Sequence, residues 1–295
     1  MPRLAAELAL PEALETRRRF DRAALSFASA CFIHDEARRR LIERLEAFRI
    51  EPGRLVDLGA ALGRGAQALE RRYPEARVVA VDSSLGMLRR AEAGAYARLA
   101  ADAVRLPFPD RSVDLVFANL LLPWARPDAV FAEARRVLKP TGLIAFSTLG
   151  PETLKELRSA WLKADDAIHV HACFDMQTLG DLAVAAGLEE PVLDVDRLRL
   201  SYPELSGAIR DLRAAGATNT AGGRRRGLTG RGRWQRFVEA LWREQGEGRR
   251  GRLSLTVELI CGQAFGARSG ARRSADGDVV VPLSEIGRAG SRRGE

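Results

Sequence analysis

The chain has 295 residues, 46% of them hydrophobic and 29% charged, and a net charge of +8. That balance fits one large globular domain, or a domain with an appended lobe, and excludes a disordered chain. No apolar run reaches the roughly 20 residues of a membrane span, and Met1 to Glu15 lacks the basic start and apolar core of a secretory signal.

Arg38 to Phe48 reads as an amphipathic helix, with Leu41, Ile42, Leu45 and Phe48 on one stripe. A Pro52-Gly53 turn leads into the apolar run Leu55 to Leu58, which ends in glycine, and Ala66 to Arg72 is helical. Val78 to Val81 has the composition of a strand buried on both faces. Ser84 to Ala95 returns to helix, and a short strand is expected at Ala97 to Ala100. Val113 to Asn119 makes a further strand and Asp128 to Leu138 a helix, which Lys139-Pro140-Thr141-Gly142 stops before the strand Leu143 to Thr148. Strands and helices alternating at this spacing predict a parallel sheet with right-handed crossovers.

Past Gly150 the rhythm changes. Glu152 to Leu162 and Met176 to Ala186 have helical periodicity, and Pro191 to Leu200 and Leu253 to Ala264 read as strands. Leu205 to Glu247, between them, is helical and rich in glycine and arginine. Two late strands around an insertion predict an antiparallel hairpin that closes the sheet. The tail from Arg268 is polar until Val279 to Leu283, a candidate edge strand. Residues 206–295 hold 18 arginines against 9 acidic residues, so the positive excess belongs to this last third. Runs such as Arg224-Arg225-Arg226 make either a solvated basic surface or a dock for an acidic partner.

The chemistry-bearing residues stand at strand ends. Asp57-Leu58-Gly59 opens a loop that runs through Ala61, Gly63 and Gly65 into a helix. The dinucleotide pattern Gly-x-Gly-x-x-Gly fails at Ala61 and Arg64. Asp57, Gly59, Gly63 and Gly65 do fit an acidic-x-Gly-x-Gly-x-Gly pattern, with Ala61 in place of its middle glycine. Asp82 follows 23 residues after Gly59, where a carboxylate accepts both hydroxyls of an adenosine ribose. Asp102 and the backbone of Ala103 are placed for an adenine, and Asn119 for the space beside a transferable methyl group. Four polar residues ending four successive strands argue for a site of adenosine type. The three cysteines, Cys31, Cys173 and Cys261, are odd in number and widely spaced, and only three histidines are present. Neither a disulfide framework nor a metal site is expected, and the cytoplasm is the default compartment.

Residues 55–146 resemble the core of the class I S-adenosylmethionine-dependent methyltransferases. Further segments are similar to the malonyl-acyl-carrier-protein O-methyltransferases of biotin synthesis. They are Phe20 to Ala24, Phe146 to Leu157, Asp175-Met176 with Gly180-Asp181, and Gly227 to Gly230. The resemblance spans about residues 18–290. It implies a doubly wound, mostly parallel seven-stranded α/β sheet with a C-terminal antiparallel hairpin. It also implies helices over 1–50, a methyltransferase domain over 51–267 with an Arg-rich helical insertion at about 201–252, and a polar tail over 268–295. S-adenosylmethionine would be the cofactor, held by Asp57, Gly59, Gly63, Asp82, Asp102, Ala103 and Asn119. The substrate would be the free carboxylate of a malonyl thioester on acyl carrier protein. A carboxylate is already a nucleophile, so no catalytic residue and no metal is nominated. Arg224, Arg225 and Arg226 would contact the carrier or the malonyl group.

Three departures from that family pattern stand out: Ala61, Phe27 in place of a commoner tyrosine, and Pro123 in place of a polar residue. They leave room for other readings on the same core. One is a methyltransferase acting on RNA or protein, although nucleic acid is disfavoured. Others are an arginine hydroxylase of the respiratory-complex assembly type, and a relative that binds acidic partners without turnover.

Overall fold

In a computed structural model that describes residues 10–245, 251–267, 272–273 and 279–280, the apolar runs become the strands of one sheet. These are β1 (Arg54–Leu58), β2 (Arg77–Asp82), β3 (Ala97–Ala100), β4 (Val113–Asn119), β5 (Leu138–Leu149), β6 (Glu189–Tyr202) and β7 (Leu253–Phe265). They lie in the order β3-β2-β1-β4-β5-β7-β6. Pairing is parallel from β3 to β5, and β7 runs antiparallel between β5 and β6. The order reverses between β1 and β4, and the carboxyl ends on either side of such a switch point leave a crevice for a ligand.

The central strands are buried on both faces, and this is why β1 and β4 are almost wholly apolar, whereas β3 and β6 at the edges are partly exposed. On one face α5 (Pro127–Val137) and α7 (Met176–Ala185) bury Phe131, Val137 and Leu179 against Val116, Ile144 and Phe146. On the other, α2 (Phe32–Arg44) and α3 (Arg64–Arg72) bury Leu41 and Leu69 against Leu55, Leu115 and Phe117. A separate cluster joins α6 (Lys155–Leu162), α8 (Leu205–Ala214) and α9 (Arg231–Gln245) to the start of β7, around Leu157, Phe237, Leu241 and Leu253. This helical lobe flanks the same sheet end to which β1, β2 and β4 deliver their last residues. The N-terminal α1 (Ala13–Ala23) and the 3-10 turn that follows it pack on α4 (Leu85–Arg90) through Ala23, Ala24, Phe27 and Met87.

Several boundaries depart from the sequence reading. The helix expected at Arg38 to Phe48 begins six residues earlier, at Phe32, and closes in a 3-10 turn at Leu45–Ala47. Its first turns are held by pairs three and four residues apart, Asp35 with Arg38 and Glu36 with Arg39 and Arg40, which leave no apolar signature. The helix expected at Ser84 to Ala95 stops at Arg90, where Ala91 turns extended and Glu92 N–H bonds to Leu62 O at 2.8 Å. Lys139 to Gly142 does not separate helix from strand: β5 already starts at Leu138, pairs with Val113, and resumes at Leu143 after a register shift. A bulge thus absorbs the Pro-Thr-Gly tract.

Leu205 to Glu247 is two helices with an irregular connection, and Glu247 lies outside the described residues. In the tail, Val279–Val280 pairs with Arg272–Arg273, and Val281 to Leu283 lie outside the described residues.

Candidate active site

The turn after β1 is set by its glycines. Gly59 (φ 74°) and Gly63 (φ 75°) occupy the left-handed region, and a Cβ on Gly59 would stand 3.1 Å from Leu121. Gly59 N–H and Ala60 N–H both reach back to Val81 O, at 2.8 and 3.0 Å. Ala61 is also left-handed (φ 46°), so the residue standing in for the middle glycine holds a glycine backbone at a cost. Gly65 answers a different need: a Cβ there would lie 2.6 Å from the Asp57 carboxylate, which accepts Ala66 N–H at 2.7 Å.

Asp57 is 2% exposed, and burial pushes its carboxyl up to about 7, with the Asp82 charge adding to the effect. Asp82 spans the loop and the next helix. One carboxylate oxygen accepts Ala61 N–H at 2.9 Å and the other accepts Ser84 N–H at 2.7 Å. Burial raises its pKa as well, against those two backbone bonds. Each oxygen keeps further acceptor capacity. Ser84 caps α4 and donates to Asp21 at 2.6 Å, while Gly86 N–H donates to the same Asp21 oxygen at 2.9 Å. The Phe20 to Ala24 segment therefore fastens α1 over the Asp82 turn.

These residues wall a cavity of about 650 Å³ at the carboxyl ends of β1, β2 and β4, lined by Gly59, Ala61, Asp82, Asp102, Ala103 and Asn119 among others. Asp57, Asn119 and Arg38 line a small side recess of about 30 Å³ beneath the loop. Gly63 lines neither and acts as the hinge into α3. Asp102 accepts Val104 N–H at 3.1 Å and shapes its own turn. Asn119 donates to His34 O at 3.0 Å and accepts Ser147 Oγ–H at 2.8 Å, so its amide ties α2 to β5 while its flank faces the cavity.

A second cavity of about 460 Å³ adjoins the first under the helical lobe. Its walls are largely apolar and aromatic: Leu157, Trp161, Leu205, Trp234, Phe237 and Val257 among others. His34, Leu120 and Trp124 line both cavities. Leu120 takes φ 53° there, held by Ser147 O and Oγ, both 3.0 Å from its N–H. Such strained backbone is found where a site over-determines it. Trp161 stacks on Phe237 at 4.1 Å and on His169 at 3.6 Å, and His169 bonds to Asp165 at 2.7 Å. Trp124 meets His171 at 5.0 Å, and burial pulls His171 down to about 4.

Arg224, Arg225 and Arg226 line neither cavity. Arg224 is turned inward, bonding to Ala221 O at 2.9 Å and pairing with Glu12 and Glu15, and so clasps α1 to the α8–α9 connection. Arg226 pairs with Glu12 at 2.8 Å on the surface, and Arg225 is exposed. His34 and Leu120 were missed by sequence reasoning. A lone histidine and a leucine after a strand carry no signal, because their role comes from two cavities meeting there. Among the described residues no cluster suited to a metal ion is present, and no helix is long and apolar enough to cross a membrane.

The methyltransferase-domain family matches residues 56–146. The malonyl-(acyl-carrier protein) O-methyltransferase of Laribacter hongkongensis is 42% identical over 274 residues, which is 88% of this chain and 91% of that protein. The Methylovorus protein of the same description is 39% identical over 98% of this chain and 99% of its own. Among solved structures, the YcgJ protein of Bacillus subtilis superposes with a TM-score of 0.56 at 19% identity, covering 78% of this chain and 98% of its own. An S-adenosylmethionine-dependent methyltransferase of Thermotoga maritima gives 0.51 at 16% identity, covering 85% and 99%. Those two likenesses establish the class I methyltransferase fold. A 650 Å³ cavity over a left-handed glycine turn, with the half-buried carboxylate of Asp82 on its wall, fits S-adenosylmethionine as the cofactor. With relatives of this identity matched along almost their whole length, the chain belongs to the malonyl-(acyl-carrier protein) O-methyltransferase family.

Proposed function

We propose that this methyltransferase esterifies the free carboxylate of a malonyl group carried as a thioester on acyl carrier protein, on the route to the pimeloyl part of biotin. The observation that carries this reading is the pair of adjoining cavities, one at the strand ends that presents Asp82, Asp102 and Asn119 and one under the lobe walled by Trp161, Trp234 and Phe237, which meet at His34, Leu120 and Trp124. Bound S-adenosylmethionine supplies an electrophilic methyl group, which forms a bond to a carboxylate oxygen as its bond to sulfur breaks.

In this reading Asp82 offers its remaining lone pairs to the ribose hydroxyls. Asp102 and the backbone of Ala103 face the adenine, and Gly59 and Ala61 floor the methionine portion, with Asp57 and Gly63 fixing the loop beneath. Asn119 holds α2 against the strand end, so that the walls of the transfer point are rigid. The apolar cavity takes the acyl thioester and excludes water from the carboxylate, whose nucleophilicity rises as its hydration is stripped. The chain's work is positioning and desolvation, and no general base is required. Arg225 and Arg226 lie outside the cavities and suit the acidic carrier rather than the malonyl group. The free thiols Cys31, Cys173 and Cys261 suit a reducing cytoplasm.

Calorimetry and complementation test the two halves of this reading. Wild type should bind S-adenosylmethionine, and Asp82→Ala should weaken binding about 100-fold, because a charge-assisted pair of bonds is lost together with the loop's own anchor. Unchanged affinity in that variant would place the ribose elsewhere. Wild type should rescue a biotin-requiring strain that lacks its own methyltransferase, and soluble, cofactor-binding protein that fails to rescue would remove the substrate assignment.

A further inference from the structure

We propose that His34 is the group that receives the substrate carboxylate at the point of methyl transfer. The inference rests on the substrate reading above and adds the residue that recognises the reacting end. His34 sits in the first turn of α2 and lines the cofactor cavity, the apolar cavity and the recess beneath the glycine loop. Among the described residues no other is shared by all three. Its Nδ1 is buried and has no hydrogen-bond partner, a state that native proteins rarely leave uncompensated. The backbone around it is satisfied, since His34 O accepts from Asn119 at 3.0 Å. The ring is steadied by the edge of Phe27, 4.8 Å between centroids. The ring therefore lines the junction of the cavities in a fixed orientation, and its Nδ1 has no partner within the fold.

The chemistry favours a neutral donor at this place. Among the described residues Arg213, which is exposed, is the single arginine or lysine lining the apolar cavity. An arginine at the transfer point would stand beside the sulfonium of the cofactor and repel it. It would also stabilise the carboxylate anion more in the ground state than in the transition state, where that charge is being lost. Burial holds His34 near 4, so at neutral pH it presents one N–H to the carboxylate and carries no charge. The other two histidines do not compete for this role. His169 is committed to Asp165, and His171 lies across Trp124 and lines the apolar cavity alone.

The test uses the full chain, malonyl thioester on acyl carrier protein, and the variants His34→Leu and His34→Gln. His34→Leu should lower kcat/KM about 10- to 100-fold, the range for a lost hydrogen bond to a charged group. Its affinity for S-adenosylmethionine should stay within about threefold, the margin expected when no cofactor contact is lost. Its Tm should hold or rise, because an unpartnered polar atom is replaced by an apolar group. His34→Gln keeps an N–H of similar reach and should recover most of the activity. Wild-type kcat/KM in His34→Leu overturns the proposal, as does a parallel loss of cofactor affinity. Falling Tm together with falling activity in both variants would assign His34 a structural role and overturn it equally. A wild type that binds the cofactor but leaves the malonyl thioester unmethylated would fail the substrate reading itself, and the proposal with it.

Discussion

Ala61 carries the sharpest consequence at the scale of single residues. At φ 46° an alanine bears about 1–2 kcal/mol of strain that glycine avoids. Glycine in turn gives the unfolded chain more freedom, a penalty of roughly 0.5–1 kcal/mol. Strain is the larger quantity, so Ala61→Gly should raise Tm by about 1–4 °C, and a lower Tm would mean that the loop is relaxed around its methyl group. Asp57 supplies a pH prediction. Its folded pKa of about 7 lies above the ordinary 3.8, so the unfolded chain binds fewer protons through that window. The stabilisation it contributes is full below pH 3.8 and is lost as pH rises through 7. Asp57→Asn keeps an oxygen for Ala66 N–H and does not titrate. The stability of wild type relative to Asp57→Asn should therefore fall by about 2–4 kcal/mol between pH 5 and pH 8, read by denaturant titration at both values. Asp82 is coupled to Asp57 through their like charges, so the difference reports the pair and keeps the same sign. A flat difference would mean that Asp57 ionises freely in the fold. Asp57 and Asp82 were legible in the sequence because a carboxylate at the end of a buried strand is conspicuous. His34 was not, since its meaning depends on helix and sheet ends far apart in the chain.

At the scale of elements, the clasp between α1 and the α8–α9 connection deserves a direct test. Thr16 bonds to Thr220 at 3.1 Å, Glu12 N–H to Thr220 O at 3.0 Å, and Arg19 to Thr218 at 2.8 Å, with Arg224 reaching both Glu12 and Glu15. Arg224 is 12% exposed, so its ion pairs with Glu12 and Glu15 are poorly screened, although Glu15 keeps Arg19 at 2.8 Å. Arg224→Ala should cost about 1–3 kcal/mol, whereas Arg225→Ala and Arg226→Ala should each stay within about 0.5 kcal/mol. Thermal melts of the three single variants check this, and equal effects would dissolve the distinction between clasp and surface. The same comparison shows which elements could be read ahead of the structure. β1, β2 and β4 were legible because a strand covered on both faces must be an unbroken apolar run. The start of α2 was not, because arginine-carboxylate pairs hold it rather than an apolar stripe. The Lys139 to Gly142 tract misled for a related reason: a neighbouring strand absorbed it as a bulge, and pairing partners are invisible to local pattern.

For the molecule as a whole, charge is distributed so that attraction and chemistry occupy different places. The 18 arginines of residues 206–295 outnumber the 9 acids there, while the cavities themselves are walled mainly by apolar groups, with Arg17 and Arg126 lining the first and Arg213 the second. Long-range attraction by arginines outside both cavities, such as Arg225 and Arg226, can then gather the acidic carrier of the proposed reaction. Such attraction weakens as the screening length falls from about 10 Å at 0.1 M salt to about 3 Å at 1 M, while buried contacts at the transfer point are screened far less. Raising sodium chloride from about 0.05 to about 0.5 M should therefore raise KM for the carrier-borne substrate roughly tenfold. The turnover number should change little, because salt acts on encounter rather than on desolvation inside the apolar cavity. A small malonyl thioester without its carrier keeps the reacting carboxylate but has no acidic surface to attract, so its KM should barely respond. Arg225→Ala and Arg226→Ala should flatten the salt dependence of the carrier-borne substrate and leave the small thioester untouched. If both substrates responded to salt alike, the basic third of the chain would be a solvated surface with no part in docking.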